Sequence, residues 1–215
     1  MGEADAPARR GAGRPTREQA AARQQELLDT ALDLFLENGF DATTVEMIAS
    51  RVNMTKRTIY ARYPDKAALF LAAVHRAVEG QIVPREVLAG FDSGDLTQTL
   101  ESVARLRIDQ VMTPNGLRLQ RIINTEGYRF PEIFVANYER SAGPVIDFVA
   151  GVLDRAIVAG TIAPIDTDQA ARAFMSMVVG GQVRSIVAGR PPSAAQLEER
   201  VGFTVRLLLD GLRPR

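Results

Sequence analysis

The sequence predicts an all-α protein of about nine helices, with a small N-terminal helix-turn-helix domain and a larger C-terminal helical domain. Two observations carry this prediction. Apolar residues recur at i, i+3 and i+4 along most of the chain, and no strand-like alternation is present. Helix-breaking residues, among them Gly39, Pro64, Gly80 and Gly160, divide this pattern into segments of helical length.

Composition and motifs limit the possible functions. With one histidine and no cysteine in 215 residues, the chain offers no disulfide framework and no thiolate metal site, so we expect no metal and no cofactor. It has no apolar run of roughly 18 residues and no signal-peptide core, which makes a cytoplasmic protein with no membrane span the simplest expectation. No nucleophile elbow, H-E-x-x-H motif or Walker loop is present, so we predict no catalytic residue and no enzyme.

Residues 1–15 are rich in Gly, Pro and Ala and are predicted to form a disordered basic arm. Arg14 lies in a Gly-Arg-Pro sequence that is similar to the core of a minor-groove AT-hook. Basic arms of this kind can enter the minor groove beside a bound helix. The arm is therefore either a DNA contact through Arg14 or a passive tail.

Residues 16–63 predict three short helices. Thr16 and Gln19 fit a capping box for the first helix, which Gly39 should end. Either Thr43 or Thr44 can cap the second helix, and Thr43 with Glu46 also fits a capping box.

A three-residue connection follows, Val52-Asn53-Met54, in which Asn53 tolerates the backbone angles of a sharp turn. Thr55 can cap the third helix, and Ile59 can pack back onto the second. Two helices joined by such a turn are typical of the helix-turn-helix, whose second helix enters the major groove and presents its N-terminal residues to base edges.

The residues at that position are Lys56, Arg57 and Thr58. Five basic residues and one acidic residue lie between Arg51 and Lys66, a local charge of +4 in a chain of zero net charge. An alternative interpretation is that this excess is simply the solvated face of a helix pair.

The segment 27–73 resembles the DNA-binding domain of the tetracycline-repressor (TetR) family of bacterial regulators. The shared pattern is Asn-Gly-Phe at 38–40, the Thr pair at 43–44, Ile-Ala at 48–49, Thr-x-Tyr at 58–60, Tyr-Pro-x-Lys at 63–66 and Leu-Phe at 69–70. The resemblance implies phosphate contacts from Thr44, Tyr60 and Lys66. The candidates for reaching toward bases are Thr55, Lys56, Arg57 and Thr58. Many family members have a small residue at position 57, so the base preference cannot be copied from a relative.

Residues 64–80 predict a connecting helix, and residues 81–215 a C-terminal domain with equal numbers of acidic and basic residues, 15 of each. Its candidate helices are roughly 95–112, 116–128, 131–159, 167–188 and 194–212, with a kink or division at Gly143-Pro144. The stretch 118–131 resembles the C-terminal domain of the multidrug-efflux-regulator (AcrR/AefR-like) branch.

The resemblance implies a ligand pocket between the middle helices. Apolar and aromatic candidates suggest an apolar or aromatic effector, although ordinary core packing explains any one of them better. They are Leu106, Met112, Ile122, Phe130, Phe134, Tyr138, Phe148, Met175 and Met177.

The resemblance also implies a homodimer in which the last two helices of each chain form a four-helix bundle. The same apolar stripes could instead be intramolecular core. The candidates are Phe174, Met177, Val178, Gly181, Leu197, Val201, Val205 and Leu208.

The sequence thus predicts a homodimeric DNA-binding regulator that recognises a palindromic double-stranded operator. We expect it to be a repressor that an unidentified small-molecule effector releases from DNA. The alternative is a nucleoid-associated or architectural protein that uses the same fold on DNA.

Overall fold

The computed structural model describes residues 16–187, 190 and 192–213, with the backbone alone at 181–184, 186 and 187. The predicted arm, including Arg14, lies outside the described residues. The described part contains eleven α-helices, one π-helical turn and no strand, which confirms the all-α class. The helices are α1 Arg17–Ala42, α2 Val45–Arg51, α3 Lys56–Tyr60, α4 Lys66–Glu79, α5 Arg85–Ala89, α6 Leu96–Met112, α7 Pro114–Glu126, α8 Glu132–Asn137, the π-helical turn Tyr138–Ala142, α9 Gly143–Val158, α10 Thr167–Val187 and α11 Ala194–Gly211.

The chain divides into two compact units between Leu69 and Phe70. This boundary lies inside α4, so the first turn of α4 belongs to the first unit and the rest to the second. The division falls within the segment 64–80 that the sequence predicts as a connecting helix.

The first unit is built from α1, α2, α3 and the start of α4. Thr16 and Gln19 form the predicted capping box of α1, and the helical backbone of α1 is broken at Gly39, where φ is +81°. A glycine adopts this left-handed conformation at no steric cost, which explains the break. The Phe35 and Phe40 rings on either side of it stack with centroids 5.7 Å apart.

The helix-turn-helix geometry depends on two threonine caps and one asparagine. Thr44 caps α2 by accepting a hydrogen bond from the Met47 amide, and Thr55 caps α3 by accepting one from the Thr58 amide. Thr43 instead lies buried, with its hydroxyl oxygen 2.9 Å from the Leu34 carbonyl oxygen. Between the two helices Asn53 has a φ of +52°, the left-handed angle that the turn requires.

In the second unit, one short helix and one π-helical turn were not predicted. The short helix α5 was not predicted, because five residues carry too little periodicity to identify. The predicted helix at 131–159 is divided into α8, the π-helical turn and α9, and α9 begins at Gly143. The division therefore falls at the predicted Gly143-Pro144 position. The core of this unit joins α6, α9, α10 and α11 around buried residues such as Leu100, Leu153 and Phe174.

Candidate nucleic-acid interface

The candidate interface is formed by the N-terminal ends of α2 and α3. Buried Ile48 of α2 and Ile59 of α3 fix the inner faces of the two helices. The remaining face of each helix points to solvent, and six of the predicted DNA-binding residues lie there exposed. They are Thr44, Thr55, Lys56, Arg57, Thr58 and Tyr60.

The exposed threonines already take part in local hydrogen bonds. The Thr44 hydroxyl oxygen accepts from the Met47 amide at 3.2 Å, and a side-chain hydrogen bond from Thr44 contributes to the lowered pKa of Glu46. Thr55 accepts from the Thr58 amide at 3.1 Å, and the Thr55 and Thr58 hydroxyl oxygens lie 2.8 Å apart. One of these two hydroxyls therefore donates to the other, and Thr55 acts first as the cap of α3.

Lys56 and Arg57 are adjacent but differ in their partners. The Lys56 ammonium donates to the Glu46 carboxylate of α2, and this hydrogen bond raises the pKa of Lys56 and lowers the pKa of Glu46. The Arg57 side chain makes no hydrogen bond or ion pair with the described part of the chain. Its guanidinium is therefore the cation of this surface that is ready for a bidentate contact.

Lys66 stands apart from the other candidates. Its ammonium donates to the carbonyl oxygens of Phe40, Asp41 and Thr43 at 2.8, 3.1 and 3.0 Å. It also lies 4.5 Å from the centroid of the Phe40 ring. All three N–H donors of the ammonium are thus used on the carbonyls between α1 and α2. The predicted phosphate contact of Lys66 would require at least one of these bonds to break, and it stays a prediction.

Another contact that the sequence did not predict joins α1 to the segment that follows α3. The Gln24 amide accepts from the Arg62 guanidinium at 2.9 Å and donates to the Tyr63 hydroxyl at 3.2 Å. These residues are 38 and 39 positions apart in the chain, so no local pattern could have indicated the contact.

The nine predicted pocket residues occupy three kinds of position in the second unit. Ile122 and Met175 are buried, Phe134 and Tyr138 are exposed, and the others are partly buried. Only Phe148 lines a described pocket, of about 300 Å³, together with Arg85, Leu88, Pro144 and Asp147. A larger described pocket of about 560 Å³ lies along α11 and contains none of the nine. The effector pocket stays a prediction.

Five of the predicted dimer residues are buried within the chain itself. Phe174, Val178, Val201, Val205 and Leu208 belong to the core that joins α10 and α11 to α6 and α9. Leu197 packs against this core and Met177 is partly buried, while the surroundings of Gly181 lie outside the described residues. These five side chains thus pack in the chain's own core, and the dimer interface stays a prediction.

The exposed surfaces of α10 and α11 carry residues other than the predicted dimer residues. Phe203 and Leu207 are 57% and 52% exposed on α11. On α10, Ala173 and Ser176 are exposed, and a side chain at Gly180 would meet no atom within 4 Å. Within the described ranges, no helix is both long and apolar enough to cross a membrane.

Comparison with known proteins agrees with this geometry. Residues 27–73 match the family of bacterial regulatory proteins called the tetR family, and residues 98–211 match the C-terminal domain of AefR-like transcriptional repressors. The second match alone covers more than half of the chain. The protein belongs to the TetR family. The two matches confirm the resemblance of segment 27–73 to the TetR family and the similarity of the C-terminal domain to AefR-like proteins.

Individual relatives extend the comparison. The HTH-type transcriptional repressor Rv1474c of Mycobacterium tuberculosis is 36% identical over an alignment of 100 residues. The alignment covers 41% of this TetR-family chain and 54% of that protein. The matched region spans between about a third and a half of the length of the curated mycobacterial relatives. The relatives found are regulators and not enzymes.

Solved structures share the fold over nearly the whole chain. A TetR-family regulator from Mesorhizobium loti superposes with a TM-score of 0.73 at 23% identity, over 93% of this chain and 100% of that one. The flavonoid-responsive regulator FrrA superposes with a TM-score of 0.69 at 28% identity, over 91% and 99% of the two chains.

Proposed function

We propose that this TetR-family protein is a transcriptional repressor that binds a palindromic operator as a homodimer and leaves it when a small effector binds. The observation that carries the proposal is the exposed N-terminal end of α3, where Arg57 has no partner in the described chain. The AefR-like family match and the repressor Rv1474c support repression over activation.

The residues of the interface have separate roles in this proposal. Arg57 donates two hydrogen bonds to the O6 and N7 atoms of a guanine, the commonest specific contact of an arginine in the major groove. Lys56 reaches the DNA after exchanging Glu46 for a base or phosphate acceptor. Thr44 and Tyr60 flank these residues and bind phosphates, which sets the orientation of α3 without reading sequence. Lys66 fixes the chain between α1 and α2 through its three carbonyl contacts.

The dimer forms through the exposed faces of α10 and α11. Phe203 and Leu207 supply apolar area on α11, and the small residues Ala173, Ser176 and Gly180 permit close approach on α10. Such a dimer would present two α3 helices about 34–36 Å apart, or near a multiple of that distance, to successive major grooves.

The effector acts by population shift. It binds the second unit and prefers a conformation whose α3 helices are wrongly spaced for the operator, so binding removes the dimer from DNA. The helix α4 runs through both units and is the segment that we propose transmits the change. The flavonoid-responsive relative FrrA supports an apolar or aromatic effector.

Selection from a random duplex library tests the DNA-binding proposal. The purified full chain is incubated with the library, and the bound pool is sequenced. We expect a palindrome with two half-sites that recurs upstream of a few genes. A pool without half-sites, or one that is only AT-rich, would contradict the proposal and favour an architectural protein.

A further inference from the structure

A charged side chain lies on the buried face of α6. Arg107 is only 6% exposed and occupies the position between Val103 and Val111, which are buried one turn away on either side. Residues four apart lie on the same face of a helix. The sequence therefore places a guanidinium where the pattern of α6 calls for an apolar residue.

The hydrogen bonds of Arg107 use only one edge of its guanidinium. Nη1 donates to the Gln110 side-chain oxygen at 2.7 Å and to the Ser141 hydroxyl at 3.4 Å. Nε is shielded from solvent and has no acceptor among the described residues. Nη2 likewise makes no hydrogen bond with them. The edge formed by Nε and Nη2 is therefore unoccupied.

Among the residues that the structure describes, no carboxylate pairs with Arg107. Its two hydrogen-bond partners, Gln110 and Ser141, are neutral. Ser141 and Gln110 in turn both donate to the Gln81 carbonyl oxygen, at 3.1 and 3.5 Å. Burial lowers the pKa of Arg107, but a guanidinium stays protonated in proteins. A buried charge without a counter-charge is strongly destabilising, so its presence requires another explanation than stability.

The surroundings of Arg107 suit a binding site. Ser141, which is 1% exposed, lies in the π-helical turn between α8 and α9, and π-helical turns occur frequently at functional sites. The free Nε–Nη2 edge has the geometry that binds the two oxygens of a carboxylate side by side. Val103 and Val111, one turn away on either side along α6, make the surroundings of this edge apolar.

We propose that Arg107 is the anchor of the effector site and that the effector is an organic carboxylate with an apolar or aromatic body. Its carboxylate accepts from Nε and Nη2 of Arg107, while Ser141 and Gln110 hold the guanidinium in place. This inference rests on the proposed effector-responsive function and specifies its ligand class.

Matched probe pairs test the inference by isothermal titration calorimetry on the full chain. The probes are cinnamate with cinnamamide and octanoate with octanamide, which differ in charge and share their apolar bodies. We expect at least one carboxylate to bind tenfold or more tightly than its amide. Chloride and phosphate are titrated separately, and equal binding of these ions would overturn the proposal in favour of a structural anion.

Three variants locate the binding. Arg107→Gln should lose the preference for carboxylate, Arg107→Lys should weaken it by tenfold or more because a lysine lacks the fork, and Ser141→Ala should weaken it by less. Arg105→Gln is the matched control, because Arg105 lies on the same helix with a more exposed side chain paired with Glu101 and Glu198. Ser141→Ala keeps the charge, so it tests the site even if the Arg107 variants do not fold.

The outcomes separate this inference from the proposed function. If no carboxylate binds, or if Arg107→Gln binds it as tightly as the wild type, the inference is wrong even when the protein binds an operator. If carboxylates bind through Arg107 but no operator is found, the proposed repressor function is wrong, whereas the assignment of a carboxylate site at Arg107 is supported. Loss of carboxylate binding in Arg105→Gln to the same extent would also overturn the assignment to Arg107.

Discussion

At the scale of single residues, Lys56 and Arg57 share an exposed surface but differ in electrostatic state. The Lys56 ammonium is held by Glu46, whereas Arg57 is free of partners in the described chain. In the proposed complex, DNA would have to displace Glu46 to reach Lys56, so we expect this carboxylate to compete with the operator.

Replacing Glu46 with glutamine should therefore strengthen operator binding. The change frees Lys56 and removes a negative charge from the interface, and we expect the operator Kd to fall several-fold. Fluorescence anisotropy at fixed salt measures it. Glu37→Gln, which removes a carboxylate from the exposed face of α1, serves as control. An unchanged or higher Kd for Glu46→Gln would show that the ion pair does not compete with DNA.

The Glu46–Lys56 pair makes the stability of the folded chain depend on pH, and the sign of this dependence follows from the two pKa shifts. The pKa of Glu46 is lowered in the folded chain, so its stabilising contribution is present above the ordinary pKa of a glutamate and is lost as pH falls through the lowered value. The pKa of Lys56 is raised, so its part is lost only as pH rises through the raised value. Between these limits the pair is intact.

Lys66 should act through stability more than through DNA affinity. Lys66→Gln removes three hydrogen bonds from a charged donor, and we expect the free energy of unfolding to fall by about 2 kcal/mol. Urea denaturation measures the loss. Lys56→Gln is the matched control and should leave the unfolding midpoint nearly unchanged, because an exposed ion pair contributes little stability, while weakening operator binding. A stable Lys66→Gln with a shallower salt dependence of binding would instead restore the phosphate role.

The limits of prediction at this scale are set by sequence separation. The caps Thr44 and Thr55 were foreseen because a cap and its amide are three residues apart. The contacts of Lys66 and Glu46 span between 10 and 26 residues, and only the folded chain brings their atoms together. The buried Arg107 left a local signal, a charge within the apolar face of α6, but its missing partner could be recognised only from the structure.

At the scale of elements, the helix-turn-helix depends on the left-handed backbone at Asn53. Glycine adopts this conformation without strain, and asparagine adopts it more readily than other residues. This turn sets the angle between α2 and α3.

Two substitutions at Asn53 test this dependence with opposite expectations. Asn53→Gly should leave the free energy of unfolding nearly unchanged, whereas Asn53→Val should lower it by about 1–2 kcal/mol because a branched side chain is strained at a φ of +52°. Urea unfolding of the two variants provides the comparison. Equal stability of the glycine and valine variants would contradict the role of the turn.

The success of the helix prediction varied with element length. The long helices α6, α7, α10 and α11 were located within a few residues, since each carries several turns of apolar periodicity. The π-helical turn was not foreseen, because its one wider turn leaves the sequence pattern of α8 and α9 almost unchanged. The division at Gly143-Pro144 was foreseen, because proline cannot continue the helical hydrogen bonds.

At the scale of the whole molecule, the apolar stripes of α10 and α11 face the chain's own core, and the exposed remainder is available to a partner. The sequence could not separate these two faces, because both carry apolar residues at helical spacing. Phe203 and Leu207 are the large apolar side chains of α11 that the core leaves uncovered.

Charge at these two positions should abolish the dimer. We expect Phe203→Glu with Leu207→Glu to sediment as a monomer in analytical ultracentrifugation, because two carboxylates would be buried in each half of the interface. Val158→Glu is the control, since Val158 is 90% exposed at the end of α9. A doubly substituted protein that remains dimeric would place the interface elsewhere.

The measurement that tests the central claim most directly is an anisotropy titration of the selected operator with the Lys56→Ala, Arg57→Ala double variant. A control variant, Arg121→Ala with Arg213→Ala, makes the same change in net charge outside α3. We predict that the α3 variant binds at least tenfold more weakly than the wild type, since a bidentate arginine contact is worth about 1–3 kcal/mol, while the control variant binds like the wild type. Unchanged affinity in the α3 variant, or an equal loss in both, would contradict the assignment of α3 as the element that reads DNA.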